Sequence, residues 1–276
     1  MGWPVWIDGR LVPADEARVS AFDHGLTVGD GVFETMRTVG GVPFARRRHL
    51  DRLEVSAKGL GLPAPDRAVV EGAVSAVLGA IGADGEARVR VTYTGGPAPL
   101  GSWRGDAPPT LLVAAVPLDP ATAAADVAVV PWVRNERSAV AGLKTTSYAE
   151  NVVALAWAKE RGAGEAILGN TLGELCEGTG SNLAVAVGGR LVTPPLSSGC
   201  LAGVTRALAL EVCDIVEAVV PLSALAAAAE AVLLSTTRDV QPIATVDGRA
   251  LPACPGPLAS AAMAAFAGLV ARDFDP

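Results

Sequence analysis

Hydrophobic and polar residues alternate in several short stretches of the chain, and a Gly-Gly or Asp-Gly pair interrupts four of them. Such pairs favour tight turns between two strands, so these stretches predict β-hairpins. The four are "VWIDGRLV", "MRTVGGVPF", "VAVGGRLVT" and "ATVDGRAL". The stretch "GDGVFETMR" alternates as well, which predicts a strand with Phe33, Thr35 and Arg37 on one face and Val32 and Met36 on the other.

Other stretches carry apolar residues at helical spacing. They are "RRHLDRLEVSAKGLGL", "SYAENVVALAWAKERGAG" and "AGVTRALALEVC". Hairpins and helices without strict βαβ alternation indicate the α+β class. "PLDPAT" is the best candidate for a linker. We therefore predict a first domain over residues 1–118, a linker over 119–122 and a second domain over 123–276, with the functional cleft between the domains.

Composition narrows the class of protein. The 276 residues are enough for two cores, and the formal net charge of −7 argues against a nucleic-acid-binding protein. The first residues lack a secretory signal pattern, and the apolar runs are too short to cross a bilayer, so we expect a cytoplasmic protein without a membrane partner. The four cysteines are scattered and lack CxxC spacing, which predicts reduced thiols and no metal site.

Several catalytic patterns are missing, and their absence directs attention to lysine. The chain has two histidines without a triad or metal pattern, and it contains no Walker A, GxGxxG or GxSxG sequence. It has three lysines, of which Lys58 and Lys159 lie at predicted helix ends, where solvated lysines are common. Lys144 instead lies between the apolar "AVAGL" and the hydroxyl-rich "TTSY". Partial desolvation there favours the free amine that Schiff-base chemistry needs, although a surface lysine at a turn remains the alternative.

Six separated motifs occur in a fixed order along nearly the whole chain. They are "GDGVFETMR", "HLDRL", "GLKTTSYAEN", "EGTGSNL", "GVTRA" and "LLSTTRDVQPI". Together they resemble the fold-type IV pyridoxal-phosphate enzymes, a family that includes branched-chain and D-amino-acid aminotransferases and 4-amino-4-deoxychorismate lyases. The resemblance implies a two-domain α+β fold, with a small α/β domain, a larger pseudo-barrel domain and pyridoxal 5'-phosphate in the interdomain cleft. It also implies a homodimer with active sites near the subunit interface.

The resemblance further implies roles for individual residues. Lys144 would form the Schiff base with the cofactor and carry protons to and from the substrate carbon. Glu177 would hold the pyridine nitrogen protonated, and Arg52 would bind the phosphate. The other expected cofactor residues are Tyr148, Ser181, Asn182, Gly203, Val204, Thr205, Thr236 and Thr237. The expected substrate residues are Phe33, Thr35, Arg37, Tyr93, Arg104 and Arg238.

The reaction is less well defined than the cofactor, because lyases and aminotransferases of this family share a carbanion intermediate. The Arg-x-His expected of D-amino-acid aminotransferases is missing from "PAPLGSWRG", and "VRVTY" does not fit the Tyr-x-Arg of the branched-chain enzymes. Chain length and "GDGVFET" favour the lyases, whereas the leucine in "LGS" stands where many lyases have an arginine.

Three functions therefore stay open. The main expectation is a lyase that converts 4-amino-4-deoxychorismate to 4-aminobenzoate and pyruvate, in folate or specialised metabolism. The alternative is an aminotransferase acting on branched-chain or other amino acids and 2-oxo acids. A homologue without activity is a third option, which the presence of both Lys144 and Glu177 disfavours.

Overall fold

The computed structural model describes residues 2–82 and 85–276, and the chain divides into two compact units. The first comprises the chain as far as Asp119, together with Leu143–Tyr148 and Asp275. The second comprises Pro120–Gly142, Ala149–Phe274 and Pro276. The segment around Lys144 thus belongs with the first unit, whereas the sequence-based boundary assigns it to the second. The reason is a backbone bridge between Val32 and Thr145, which attaches this segment to a strand of the first unit.

Among the residues that the structure describes, the first unit is a six-stranded antiparallel sheet with three helices. Its elements are β1 (Pro4–Ile7), β2 (Arg10–Pro13), α1 (His24–Thr27), β3 (Gly31–Val39), β4 (Val42–Pro43), α2 (Arg46–Gly59), α3 (Arg67–Ile81), β5 (Ala87–Thr94) and β6 (Thr110–Pro117). The strands are ordered β2-β1-β6-β5-β3-β4. The two hairpins predicted in this part are confirmed as β1–β2 and β3–β4. His24 begins the one-turn helix α1, which the Asp23 side chain caps by accepting from the Gly25 amide.

The core of the first unit lies between one face of the sheet and helices α2 and α3. Val32 and Met36 of β3 are fully buried in it, so the predicted alternation along this strand is confirmed. Glu34 lies between them on the same face and is also fully buried. The other face of β3 carries Phe33 and Thr35. One strand thus supplies both the core and the surface on which the lysine segment lies.

In the described part of the chain, the second unit is a nine-stranded mixed sheet with four helices and a short 3-10 helix, Leu196–Ser198. Its elements are β7 (Ala125–Arg134), α4 (Ala149–Lys159), β8 (Glu165–Asn170), β9 (Leu175–Gly178), β10 (Asn182–Val187), β11 (Arg190–Thr193), α5 (Val204–Val212), β12 (Ile215–Glu217), α6 (Ala224–Ala227), β13 (Ala231–Ser235), β14 (Asp239–Val246), β15 (Arg249–Ala250) and α7 (Pro257–Arg272). The strands are ordered β12-β11-β10-β13-β14-β7-β8-β9, and β15 pairs with β14. The hairpins β10–β11 and β14–β15 and the expected α+β class are confirmed.

Strand pairing in the second unit brings three irregular segments to one end of the sheet. β10 and β13 are antiparallel and pair from Asn182 with Leu234, so the loop before β10 lies beside the turn after β13. The side chain of Asn182 also donates to the Leu201 carbonyl at 2.9 Å, just before α5 begins. The loop, the turn and the start of α5 are therefore neighbours. Among the described residues, no helix is both long enough and apolar enough to span a membrane.

Candidate functional site

The backbone of Lys144 is held on two sides within the first unit. Its carbonyl accepts from the Phe33 amide at 3.0 Å, and its own amide donates to the Ser56 hydroxyl of α2 at 3.2 Å. The Thr146 amide donates to the Gly31 carbonyl at 2.8 Å. The segment therefore runs beside the start of β3 like a short extra strand, and the position of the lysine is fixed by main-chain bonds.

Gly29 explains why this segment can approach so closely. Its φ is +72°, in the left-handed region, and a Cβ there would lie 2.6 Å from the Ser147 hydroxyl oxygen. The hydroxyls of Ser147 and Thr146 donate to the Gly29 carbonyl at 2.9 and 3.0 Å. The hydroxyl run after Lys144 thus ties the segment to the loop before β3.

The Lys144 amine lies among aromatic rings. Its nitrogen is 4.3 Å from the ring centroid of Phe33 and 5.9 Å from that of Tyr148. The two rings meet edge to face, with centroids 5.1 Å apart. The guanidinium carbon of Arg90 lies 3.7 Å from the same Phe33 centroid. We call Lys144, Tyr148, Phe33 and Arg90 the lysine cluster, in which an amine and a guanidinium lie against one aromatic side chain.

Arg90 is a candidate functional residue that the sequence analysis did not identify. Its strand, β5, alternates as β3 does, with Val89 and Val91 in the core and Arg90 on the other face, opposite Thr35. Its Nε donates to the Thr92 hydroxyl at 3.4 Å. Within residues 2–82 and 85–276, no carboxylate forms an ion pair with it. The signal was the two-residue period of "ARVRVTYT", which places Arg90 on the face of Phe33.

Two of the expected substrate arginines are already engaged by acidic groups in the first unit. Arg37 lies 5.3 Å from the ring centroid of Phe44, and its NH1 is 3.4 Å from a Glu86 oxygen. Arg104 forms a two-pronged ion pair with Asp30, with Nε 2.6 Å from Oδ2. A guanidinium neutralised in this way is a weaker attractor for a substrate carboxylate.

The remaining expected substrate residues lie in different places. Tyr93 is only 7% exposed and packs in the core of the first unit, on the face opposite Phe33, and burial raises the pKa of its phenol. Arg238, in the second unit, donates to a Glu165 oxygen at 2.6 Å. Thr35 is partly exposed on the Phe33 face. The structure therefore brings Phe33 together with Lys144 but does not bring Tyr93 into the cluster.

Arg52 belongs to a buried ionic group in the first unit. Its Nε and NH2 donate to the two oxygens of Glu34 at 2.7 and 2.8 Å. His49 Nδ1 lies 2.7 Å from Glu34 Oε2. Burial by itself would raise the pKa of Glu34, but Arg52 and His49 outweigh it and hold that pKa far below its usual range. Burial lowers the pKa of His49, so neutral His49 donates its Nδ1 proton to ionised Glu34.

Glu177 is held firmly within the second unit. It lies in β9 and is 9% exposed. One carboxylate oxygen accepts from Arg134 Nε at 3.1 Å, and the other accepts from the Leu201 amide at 2.9 Å. These two donors fix the plane of the carboxylate, so that it presents a defined edge to any group beside it.

The start of α5 offers donors that the helix itself does not use. Gly203 is the N-cap and provides no side-chain cap, so the first-turn amides, including those of Val204 and Thr205, lack helical partners. A Cβ on Gly203 would overlap the Asn182 side-chain oxygen. The hydroxyls of Ser181 and Ser235 are buried, and neither has a partner among the residues that the structure describes.

The donors near α5 share one end of the sheet. Thr236 and Thr237 follow Ser235 in the turn after β13. The loop, the turn and the helix start thus place amide and hydroxyl donors near one another, an arrangement that suits an anion.

The chain is similar to known proteins in both sequence and fold. The sequence matches the profile of the family described as amino-transferase class IV over residues 31–246. It is 32% identical over 258 residues to a Methanocaldococcus jannaschii protein assigned provisionally as a branched-chain-amino-acid aminotransferase, with 90% of this chain and 89% of that protein covered. It is 31% identical over 230 residues to a bifunctional aminodeoxychorismate lyase / D-amino acid transaminase of Mycobacterium tuberculosis, with 75% and 77% covered. A similar solved structure is the branched-chain aminotransferase of the thermophilic archaeon Thermoproteus uzoniensis with norvaline, with a TM-score of 0.87, 31% identity and coverage of 97% and 94%.

Proposed function

Because the chain belongs to the class IV aminotransferase family of fold-type IV pyridoxal-phosphate enzymes, we propose that it transfers amino groups between an amino acid and a 2-oxo acid. The lyase reaction, which the sequence analysis put first, has less support. A relative named as an aminotransferase aligns with 90% of this chain, whereas two relatives with lyase in their names align with 75% of it each, and one of these two is also named a D-amino acid transaminase.

One observation carries the choice between the two reactions: Arg90 lies against the same Phe33 ring as Lys144 and has no acidic partner among the described residues. The lyase substrate bears two carboxylates and needs cations for both. Arg37, Arg104 and Arg238, expected to supply them, are each ion-paired. A single available guanidinium in the lysine cluster suits the one carboxylate of an amino acid with an apolar side chain, which supports a branched-chain or similar substrate.

The residues present fit pyridoxal 5'-phosphate. A phosphate needs amide and hydroxyl donors, and the start of α5 and the orphaned buried hydroxyl of Ser235 offer them. A carboxylate in a fixed position keeps a pyridine nitrogen protonated. Glu177 provides such a carboxylate, because Arg134 and the Leu201 amide both donate to it. When bound, the cofactor supplies an electron sink that stabilises negative charge at the substrate α-carbon.

Each residue in the lysine cluster has a proposed task. The Lys144 amine removes the proton from the substrate α-carbon and returns a proton during the reverse half of the cycle. Phe33 and Tyr148 exclude water from one side of that amine and fix its position. Arg90 holds the substrate carboxylate, which orients the α-carbon toward Lys144. A lysine can give and take protons in this way, whereas an arginine stays charged.

The proposed cofactor contacts follow the same logic. Arg52 binds the phosphate, and its two bonds to Glu34 keep the guanidinium plane fixed. Glu177 would accept a hydrogen bond from the protonated ring nitrogen. The donors of Val204, Thr205, Thr236 and Thr237 would complete the phosphate contacts, and Ser181 and Asn182 would lie beside the ring.

We also propose that the enzyme works as a homodimer. Leu100 and Trp103, in the loop after β5, are 74% and 80% exposed, which is unusual for large apolar side chains. Phe22 and Leu26 are exposed in the same unit. Light scattering coupled to size exclusion should give twice the mass of 27.9 kDa. A monomer at micromolar concentration would contradict this proposal.

The function is tested by assaying the purified, cofactor-loaded protein with L-amino acids, with D-amino acids and with 4-amino-4-deoxychorismate. We expect turnover of branched-chain amino acids with a 2-oxo acid acceptor, and paired L and D enantiomers will define the stereochemistry. Release of 4-aminobenzoate from 4-amino-4-deoxychorismate, without transamination of any amino acid, would overturn the proposal in favour of the lyase.

The catalytic lysine has its own control. Borohydride should attach the cofactor covalently to the native protein but not to Lys144→Ala, whereas Lys159→Ala, which alters an exposed lysine at the end of α4, should behave as the native protein does. A covalent adduct in Lys144→Ala would show that another lysine holds the cofactor.

A further inference from the structure

A second buried carboxylate lies beneath the loop that follows Glu177, and the proposed chemistry does not use it. Glu165 begins β8 and is 1% exposed. Its Oε1 accepts from the Gly180 amide at 3.0 Å and from the Thr179 hydroxyl. Its Oε2 accepts from Arg238 NH1 at 2.6 Å. One side chain therefore bonds to the loop Glu177–Asn182, which we call the ring loop, and to the turn after β13.

The bonds continue from the ring loop to the Glu177 carboxylate. The Thr179 carbonyl accepts from Asn151 Nδ2 at 2.7 Å. The Asn151 oxygen accepts from Arg134 NH2 at 2.9 Å, and Arg134 Nε donates to Glu177 at 3.1 Å. A continuous line of hydrogen bonds thus runs through the second unit, in the order Arg238, Glu165, Thr179, Asn151, Arg134, Glu177.

Strand pairing alone does not fix these segments. The β8–β9 ladder ends at Ile167 with Gly178, and the β10–β13 ladder ends at Asn182 with Leu234. Between these ladders, the ring loop is held by single bonds, of which Glu165 accepts two. The charges are balanced along the line, since each buried carboxylate, Glu165 and Glu177, faces a guanidinium.

We propose that Glu165 is a positioning residue that locks the ring loop to the turn Ser235–Arg238 and thereby sets the orientation of Glu177 toward the cofactor ring. Arg238 then serves as the counter-ion of Glu165 instead of a substrate-binding group. The inference rests on the proposed function in one respect only, that the ring loop and the turn contact pyridoxal 5'-phosphate. It does not depend on which amino acid is the substrate.

The test compares pyridoxal 5'-phosphate binding by the apoproteins of four variants with that of the native apoprotein. Glu165→Gln and Arg238→Gln break the ion pair, Thr179→Val removes the hydroxyl at nearly constant shape, and Thr179→Ser keeps it. Glu230→Gln is the matched control, because Glu230 is also buried in the second unit but caps α7 through the Leu258 and Ala259 amides. Binding is followed by titration, and the absorption maximum of the bound cofactor and the melting temperature are recorded.

We expect Glu165→Gln and Thr179→Val to weaken cofactor binding by about tenfold or more, since bonds to a buried charge are lost. Both should shift the absorption maximum, and Thr179→Ser should restore the native values. Glu230→Gln should lower the melting temperature while leaving affinity and absorption within about twofold of native, the scatter expected for a distant site.

The contradicting outcome is specific. If Glu165→Gln lowers the melting temperature as Glu230→Gln does but leaves cofactor affinity and absorption unchanged, Glu165 is structural only and the proposal fails. Glu177→Gln is titrated in parallel. If that variant also binds and absorbs as the native protein does, the assignment of the ring loop to the cofactor is at fault, and this separates a failure of the proposed function from a failure of the Glu165 proposal.

Discussion

At the scale of single residues, ion pairing decides which arginines remain available for a substrate. Arg37, Arg104 and Arg238 are paired with Glu86, Asp30 and Glu165, whose positions are 49 to 74 residues away along the chain. No local sequence pattern identifies such partners, because the fold brings them together. Arg90 could have been identified from the alternation of its strand, but its lack of an acidic partner could not.

Arg90→Met should raise the KM for both the amino acid and the 2-oxo acid by about tenfold to a hundredfold, since a charged hydrogen bond to the carboxylate is lost. Arg90→Lys should recover part of the loss, because it restores the charge but not the fork. Arg88→Met, two residues away on the same face of β5, is the matched control and should change KM little. Equal effects of the two methionine variants in steady-state assays would show a general charge effect instead of a specific contact.

At the scale of elements, the start of α5 depends on a glycine for its contact with the ring loop. Gly203→Ala places a Cβ against the Asn182 oxygen and should disturb the Asn182 bond to Leu201. We expect weaker cofactor binding, by about tenfold, and a lower melting temperature. Gly268→Ala in the exposed part of α7 has open space around its new Cβ and should instead stabilise the protein by about 0.5–1 kcal/mol. Similar destabilisation of both variants would contradict the steric argument.

The elements themselves were largely predictable, whereas their meeting points were not. The hairpins at Gly40-Gly41 and Gly188-Gly189 follow from local turn chemistry, and the helix after Gly203 follows from its apolar period. The placement of the Lys144 segment in the first unit was not predictable, because it depends on hydrogen bonds to β3, to the loop before β3 and to α2, all of which lie far from the segment along the chain. Lys144, Glu177 and Arg52 were predicted as site residues from a set of motifs, whereas Glu165, which joins two segments, belongs to none of those motifs.

At the scale of the molecule, two histidines govern the response to pH near neutrality, because histidine is the side chain that ordinarily titrates there and the chain has two of them. Both are buried in the first unit, each beside a carboxylate. Their environments act in opposite directions. Burial lowers the pKa of His49 below the ordinary 6.5, whereas the hydrogen bond to Asp30 raises the pKa of His24 above it.

The two shifts predict a maximum in the stability of the apoprotein near the ordinary histidine pKa of about 6.5. Below that pH, His49 is protonated in the unfolded chain but stays neutral in the folded protein, because its folded pKa is lowered. The free energy of unfolding therefore falls on acidification. His24 contributes stability that is complete below that pH and is lost as pH rises through its raised folded pKa. On each side of this maximum, which we call the acid limb and the alkaline limb, the free energy of unfolding can change by at most about 1.4 kcal/mol per pH unit.

Variants of the two histidines separate the acid limb from the alkaline limb when the melting temperature is plotted against pH from pH 5 to 9. His49→Gln should flatten the acid limb and leave the alkaline limb as it is, because glutamine takes up no proton at this position in either the folded or the unfolded chain. His24→Gln should do the reverse. Absolute melting temperatures should fall in both variants, since Glu34 and Asp30 each lose a partner, so the slopes are the measurement that decides. Curves that run parallel to the native curve at every pH would show that neither histidine controls the pH dependence of the fold.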